Sequence, residues 1–242
     1  MPSPAGGCRG LARSRLGRPG YRHRYGVRMS AGRPPDVSSW ALVGAGGHAR
    51  VLHDVLVRSG ATVVAVSGDA RGPAWDVPVL DDDELVALVA RTGACVALGV
   101  GDEARRTRLL EWAVGSGLAM PPLVASTATV ARSATLGAGT VVLEHAHVGP
   151  SARLRRAVVV NTAAVVEHDV VVGEGSHVAP AAVLLGAVEV GEGTLVGSGA
   201  RVLPGIRVGS RVVVGAGAVV VADVPDDAVV AGVPARPTGS HR

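Results

Sequence analysis

The chain has 242 residues, which is enough for one large domain or two small ones, each with its own core. Hydrophobic residues make up 48%, which excludes a disordered chain, while aromatic residues make up only 2% and phenylalanine is absent, so the core must be narrow. The net charge is +4 with arginine as the only strongly basic residue type, and two cysteines exclude a disulfide framework or a cysteine metal site.

Residues 1–38 are rich in Arg, Pro, Gly and Ser. A basic tail can bind nucleic acid or acidic membranes, but no aromatic or helical pattern organises these charges. We therefore expect a disordered extension, or sequence upstream of a start at Met29, and no nucleic-acid partner. No apolar segment of a secretory signal follows the arginines, and no apolar run reaches the roughly 18 residues of a membrane span. We expect a cytoplasmic protein.

Residues 39–120 alternate between strand-like and helix-like patterns. The predicted strands are 41–43, 61–69 and 95–102, and the predicted helices are 48–60, 82–92 and 103–114. Strands and helices that alternate at these lengths predict a parallel sheet between layers of helices. The first half is thus interpreted as a Rossmann-like α/β domain.

Glycine turns follow the first and third of these strands. Exposed N–H groups at a helix N-terminus favour a phosphate, and glycine lets the ligand approach the backbone. Both turns are expected at the same edge of the sheet, where ligands of such sheets bind. The pattern predicts a site for a nucleotide-linked ligand, although the same turns also serve plain strand–helix packing. The predicted ligand-binding residues are Gly44, Gly46, Gly47, His48, Asp69, Gly99 and Gly101.

From Val124 to Val220, seventeen Val or Leu residues follow one another at intervals of six. A small or branched residue stands four positions after each, and glycine often follows the aliphatic position. This period predicts a triangular parallel β-helix over residues 121–237, in which three hexads close one coil. We expect the final stretch, 223–237, to leave the β-helix as a turn-rich tail. A structural solenoid without catalysis would show the same period.

Histidines interrupt the repeat at positions 145, 147, 168 and 177. His168 lies between Glu167 and Asp169, and a carboxylate beside an imidazole suits a general base. Gly186 follows His168 by one coil, so its backbone N–H is a candidate oxyanion donor. His177 follows by half a coil and must face away from His168 in the same chain. Because none of the four histidines stands one or two full coils from another, a zinc site like that of β-helical carbonic anhydrases is not expected.

The segments 44–52, 99–106, 161–180 and 231–236 resemble the sialic-acid O-acetyltransferase (NeuD) family, which includes the UDP-4-amino-sugar N-acetyltransferases of the PglD type. The resemblance covers about residues 40–237. It implies a Rossmann-like domain followed by a left-handed parallel β-helix, acetyl-CoA as co-substrate, no metal, and a homotrimer with active sites between neighbouring β-helices. Ala181 and Ser67-Gly68-Asp69 depart from the family pattern, and the second departure leaves the acceptor open.

The resemblance also implies roles for individual residues. His168 would be the catalytic base, Asp169 the carboxylate that orients it, and Gly186 the donor to the thioester oxygen. Besides the glycine turns, Asn161 and Glu167 would contact the acceptor. The residues expected to contact acetyl-CoA are His177, Gly186, Ser198, Ala216, Gly232 and Pro234.

The sequence thus predicts an acetyl-CoA-dependent acetyltransferase that acts on a nucleotide-linked 4-amino sugar. Two alternatives stay open at this point. One is O-acetylation of sialic acid or of another small hydroxylated acceptor. The other is a scaffold that binds a sugar nucleotide without catalysis.

Overall fold

The computed structural model describes residues 36–70 and 72–240. Apart from residues 36–38, which begin the first strand, the predicted extension 1–38 lies outside the described residues. The first half forms, in chain order, β1 (Asp36–Val43), α1 (Gly47–Arg58), β2 (Thr62–Ser67), β3 (Val79–Leu80), α2 (Asp82–Thr92), β4 (Ala94–Leu98) and α3 (Glu103–Gly115).

The four strands of the first half form one parallel sheet in the order β3-β2-β1-β4. Leu52, Val55 and Leu56 of α1 pack on one face of the sheet. Residues of α2 and α3, among them Leu85 and Leu110, pack on the other face. The predicted three-layer α/β arrangement is confirmed.

Local signals explain how well the element bounds were predicted. Helix α2 has its predicted bounds because Asp81 and Glu84 form a capping box at its start and Gly93 takes the left-handed conformation at its end. Strand β4 is shorter than predicted, since it ends at Leu98 and residues 99–102 form a loop. Val51 of α1 is 39% exposed, although its neighbour Leu52 is fully buried.

The second half begins with seventeen two-residue strands, each of which ends at one of the predicted aliphatic positions. They are β5 (Leu123–Val124), β6 (Thr129–Val130), β7 (Thr135–Leu136), β8 (Val141–Val142), β9 (His147–Val148), β10 (Arg153–Leu154), β11 (Val159–Val160), β12 (Val165–Val166), β13 (Val171–Val172), β14 (His177–Val178), β15 (Val183–Leu184), β16 (Glu189–Val190), β17 (Leu195–Val196), β18 (Arg201–Val202), β19 (Arg207–Val208), β20 (Val213–Val214) and β21 (Val219–Val220).

Each of these strands pairs in parallel with the strand one coil away, and together they form three sheets, which we call the β5, β6 and β7 faces after their first strands. The interior holds the aliphatic residue of each strand and the small residue four positions later, as in Val172 and Ser176. The turns between faces take left-handed residues, not all of them glycine: Asp169 has a φ of 61° and Ala181 a φ of 58°. The fold is the predicted β-helix.

Residues 223–231 continue the β-helix, so the prediction that the whole stretch 223–237 leaves it was wrong, while residues 232–235 form turns as expected. Strand β22 (Ala228–Ala231) pairs in parallel with β20, and β23 (Arg236–Ser240) pairs antiparallel with β22. The partner of Val230 is Val214 and the partner of Val224 is Val208, so this last coil is shorter than three full hexads. A pattern search with a strict period of six cannot find such a shortened coil.

The two halves share a core. Leu123, Val141 and Val159 point outward from the first three strands of the β5 face and pack into the cluster that contains α1. The Arg106 side chain, from α3, is fully buried in this contact region. In the part of the chain that the structure describes, no helix has the length and apolar character that a membrane crossing requires.

Candidate active site

A cavity of about 320 Å³ lies at the carboxyl ends of β1, β2 and β4. The two glycine turns meet there: a Cβ on Gly44, whose φ is 115°, would lie 2.7 Å from the carbonyl oxygen of Gly99. A side chain at Gly44 would therefore push the two turns apart. All seven residues predicted to bind the nucleotide-linked ligand line this cavity: Gly44, Gly46, Gly47, His48, Asp69, Gly99 and Gly101.

His48 stands in the first turn of α1 and lines the cavity. Burial, together with the nearby His177 and Arg106, lowers the pKa of the His48 imidazole to about 4. Its Nε2 atom is buried and has no hydrogen-bond partner among the described residues. The imidazole that lines the cavity is therefore neutral at pH 7.

Sequence analysis missed three residues around the cavity. Arg105 lines it and brings a positive charge to a site whose other polar contributors are mainly backbone N–H groups. Trp75 donates its indole N–H to the Ala45 carbonyl at 3.1 Å, and the Arg50 guanidinium lies 4.4 Å from the centre of its ring. Trp75 thus anchors the first glycine turn, and only a structure could reveal this contact between segments so far apart in the chain.

The third missed residue is Arg106, which fixes the second glycine turn to the β-helix. Its guanidinium donates to the carbonyls of Val100 and Gly101 at 3.0 and 2.7 Å. It also donates to Ala157 at 3.0 Å and to Gly175 at 2.6 Å, both in turns of the β-helix. Burial lowers the pKa of Arg106 to about 10, so the side chain still carries its charge at neutral pH.

A second group of predicted residues lies at the corner between the β6 and β7 faces. His168 is 61% exposed, and its Nδ1 lies 2.8 Å from Oδ2 of Asp169. The ring covers Gly186, since a Cβ at that position would lie 2.5 Å from both Cε1 and Nε2 of His168. The Gly186 N–H makes no backbone hydrogen bond among the described residues. An imidazole held by a carboxylate over a free N–H can take a proton close to a stabilised oxyanion.

Glu167 was predicted as a second carboxylate beside His168. Within the described ranges, Asp169 is the hydrogen-bond partner of the imidazole, and Glu167 makes no such bond to it. Neither Glu167 nor Asn161 lines the glycine-turn cavity.

His177 lies on β14 in the β5 face, away from the corner that carries His168. The expectation that the two histidines face apart within one chain is therefore confirmed. The His177 ring contacts Glu103 of α3 at 3.3 Å and the Asn161 amide at 3.0 Å. His177 thus lies where the α/β half meets the β-helix.

The remaining residues expected to contact the acyl donor lie at the corner between the β5 and β6 faces, or in the C-terminal segment that follows β22. Ser198 and Ala216 are exposed one coil apart at this corner, and Gly232 follows β22. Asn161 stands on the same corner, nearer the α/β half. Ser198, Ala216 and Gly232 thus lie along one line, which the β6 face separates from His168 in the same chain. Pro234 lies in the turn that begins at Gly232. Within residues 36–70 and 72–240, no group of three or more His, Cys, Asp or Glu side chains is arranged to hold a metal ion.

Comparison with known families gives two matches in the order of the two halves. Residues 40–113 match the PglD N-terminal domain. Residues 187–222 match the bacterial transferase hexapeptide of six repeats.

Solved structures resemble the chain over most of its length. The acetyltransferase domain of PglB from Neisseria gonorrhoeae FA1090 is 36% identical, with 83% of this chain and 99% of that chain covered and a TM-score of 0.78. The same domain in complex with acetyl coenzyme A is 35% identical, with 84% and 100% covered and a TM-score of 0.79. PerB from Caulobacter crescentus, in complex with CoA and GDP-perosamine, is 34% identical, with 88% and 100% covered and a TM-score of 0.78.

The two family models match the two halves of the chain in the same order. The solved structures share about a third of its residues across nearly their whole length. The chain therefore belongs to the PglD-like family of hexapeptide acyltransferases.

Proposed function

We propose that this enzyme transfers the acetyl group of acetyl-CoA to the amine of a nucleotide-linked 4-amino sugar. The observation that carries the proposal is the His168 imidazole, which is hydrogen-bonded to Asp169 and lies over Gly186. The similar PglB domain was solved with acetyl coenzyme A, and the similar PerB with CoA and GDP-perosamine. An amino-sugar nucleotide as acceptor agrees with the glycine-turn cavity in this chain.

The transfer is a direct displacement. Asp169 holds the proton of His168 on Nδ1, which leaves the lone pair of Nε2 for the acceptor. As the acceptor nitrogen attacks the thioester carbonyl, Nε2 takes a proton from that nitrogen and the Gly186 N–H donates to the developing oxyanion. The tetrahedral intermediate then collapses with loss of the CoA thiolate. An amide bond forms and a thioester bond breaks.

The two halves divide the work. Residues 39–120 hold the nucleotide part of the acceptor, with phosphate oxygens at the backbone N–H groups of the glycine turns and Arg105 beside them. The neutral His48 ring and Asp69 line the same cavity beside the ligand. Residues 121–237 carry the chemistry. Asn161 and Glu167 contact the sugar.

Acetyl-CoA lies between two β-helices of a homotrimer. In one chain, the β6 face separates His168 from the line formed by Ser198, Ala216 and Gly232. A neighbouring chain can bring the two corners together, which is why a three-faced rod suits a trimer. Val165, Val183 and Val219 point outward from the β6 face and are half-buried, which makes that face a suitable contact. Because acetyl-CoA is an intracellular metabolite, we place the reaction in the cytoplasm.

The test is an acceptor panel. Purified protein is incubated with acetyl-CoA and GDP-, UDP- or dTDP-linked 4-amino sugars, and free thiol is followed with time. We expect thiol release with at least one amino sugar and an acetylated product that resists hydroxylamine, as an amide does and an ester does not. Thiol release only with hydroxylated acceptors such as sialic acid would replace N-acetylation by O-acetylation. Ligand binding without any thiol release would indicate a scaffold.

A further inference from the structure

Glu103, His177 and Asn161 form a continuous line of polar contacts across the boundary between the two halves. Glu103 is the first residue of α3, His177 lies on β14, and Asn161 follows β11. Nδ1 of His177 is 3.3 Å from Oε1 of Glu103, and Nε2 is 3.0 Å from Nδ2 of Asn161. The His177 and Glu103 side chains are only 14% and 20% exposed.

The hydrogen bonds of Asn161 determine where the proton of His177 sits. The Asn161 Oδ1 atom accepts from the backbone N–H of Thr162 at 2.8 Å, which fixes the orientation of the amide. The amide nitrogen therefore faces His177, and an amide nitrogen can only donate. Nε2 of His177 must then be the acceptor, so the ring proton lies on Nδ1, which faces Oε1 of Glu103 at 3.3 Å.

Glu103 is well suited to accept that proton. Burial alone would raise its pKa, but the hydrogen bond from His177 and the charge of Arg106 outweigh it, so the pKa of the Glu103 carboxyl lies below its ordinary value. The carboxylate is therefore ionised at neutral pH. The other titratable groups near His177 are His48, which burial keeps neutral, and Arg106.

Helix α3, which carries Glu103, is held both at the second glycine turn and at a turn of the β-helix. Arg106 donates to Gly101 in the second glycine turn and to Gly175, two residues before His177. Thr107 leaves no room for a side chain on Gly175. The start of α3 thus connects the rim of the cavity to the turn before His177. Glu103 lies in this fixed first turn of the helix and contacts the His177 imidazole.

We infer that Glu103 is a positioning residue, which holds the His177 ring with its proton on Nδ1, so that Nε2 accepts from the Asn161 amide that the Thr162 N–H orients. One N–H of that amide bonds His177, which leaves the other for the acceptor. This inference rests on the proposed function for its consequence, since Asn161 contacts the sugar there. The tautomer itself is a property of the protein without any ligand.

The first measurement is a nitrogen–proton correlation spectrum of the protein labelled with ¹⁵N-histidine, in which His177→Gln identifies the signals of His177. We expect a protonated Nδ1 and a bare Nε2 in the unchanged protein. Glu103→Ala removes the carboxylate that faces Nδ1, so the His177 signals should lose their single well-defined state and shift toward a mixture of the two tautomers. Glu103→Gln keeps an oxygen acceptor and should keep the Nδ1 proton. A bare Nδ1 in the unchanged protein would overturn the inference.

The second measurement is steady-state kinetics with the accepted amino sugar. Glu103→Ala should lower kcat/KM for the acceptor roughly tenfold, as expected for one lost oriented hydrogen bond, and leave KM for acetyl-CoA unchanged. The matched control is Glu111→Gln, on the same helix, whose partner Arg156 is at the surface. Equal kinetic effects of both substitutions would overturn the positioning role. If no amino sugar is acetylated at all, the proposed function fails, while the spectrum still decides the tautomer.

Discussion

The imidazole of His168 lies against the backbone of Gly186, which follows it by one coil of the β-helix. A Cβ at position 186 would be 2.5 Å from Nε2 and Cε1 of the ring, closer than two such atoms approach. The regular coil thus brings a candidate base and a candidate oxyanion donor together without any special loop. Because position 186 has no side chain, the His168 ring can lie directly against its backbone.

We predict that Gly186→Ala lowers kcat by about 10²-fold, because a methyl group displaces the ring from its position over the N–H. Stability should change by less than about 1 kcal/mol, since Gly186 is not in the left-handed region and is partly exposed. Thiol-release kinetics and urea unfolding measure the two effects. Gly115→Ala is the control, because a Cβ there meets nothing within 4 Å. Unchanged turnover in Gly186→Ala would contradict the assigned geometry.

Arg106→Met should reduce the free energy of unfolding by on the order of 3–5 kcal/mol, because it leaves four carbonyls, in two separate parts of the fold, without their charged donor. Arg106→Lys should recover only part of the loss, because an ammonium cannot copy the fork of a guanidinium. Denaturant titration measures both. The control is Arg108→Met, at an exposed position of the same helix, which should reduce the free energy of unfolding by less than about 0.5 kcal/mol. A similar loss of stability in both variants would show that the four hydrogen bonds of Arg106 do not join the two halves.

The His48 environment predicts a pH dependence of stability. The pKa of this imidazole is about 4 in the folded protein and near its ordinary value of 6.5 when unfolded. Between these values the unfolded chain binds the proton more tightly, so stability is lost as pH falls from 6.5 toward 4. From pH 7.5 to pH 5 the loss due to His48 should be about 2 kcal/mol.

Urea unfolding at both pH values, on the unchanged protein and on His48→Gln, isolates this contribution from that of other groups. The difference in unfolding free energy between the two proteins should shrink by the stated amount at pH 5. A difference that does not depend on pH would show that His48 is not kept neutral by burial.

Much of this fold could be predicted because the repeat is strictly periodic. Each of the seventeen repeat positions from Val124 to Val220 ends a strand, and a spacing of one coil already predicts that Gly186 lies beside His168. The meeting of the two glycine turns was equally predictable from the sequence, because a parallel sheet places Gly44 and Gly99 at the same edge. Local period and topology determine these features.

The remaining features depend on contacts between distant segments. The last coil is shorter than the others, and no local signal marks Val230 as the partner of Val214. Arg106 looks like an ordinary surface arginine of a helix until the β-helix is packed against it. His177 was predicted only as a residue that contacts acetyl-CoA, and its bonds to Glu103 and Asn161 require the two halves to be docked.

The most direct test of the central claim is the turnover of His168→Ala. With acetyl-CoA and the accepted amino sugar, we predict that kcat falls by about 10²–10⁴-fold, the usual contribution of a general base. Because the His168 ring is exposed and is not part of the core of the chain, the stability of the fold should stay as it is, and thermal unfolding checks this. A variant that is folded and turns over at the rate of the unchanged enzyme would contradict the assignment of His168 as the base.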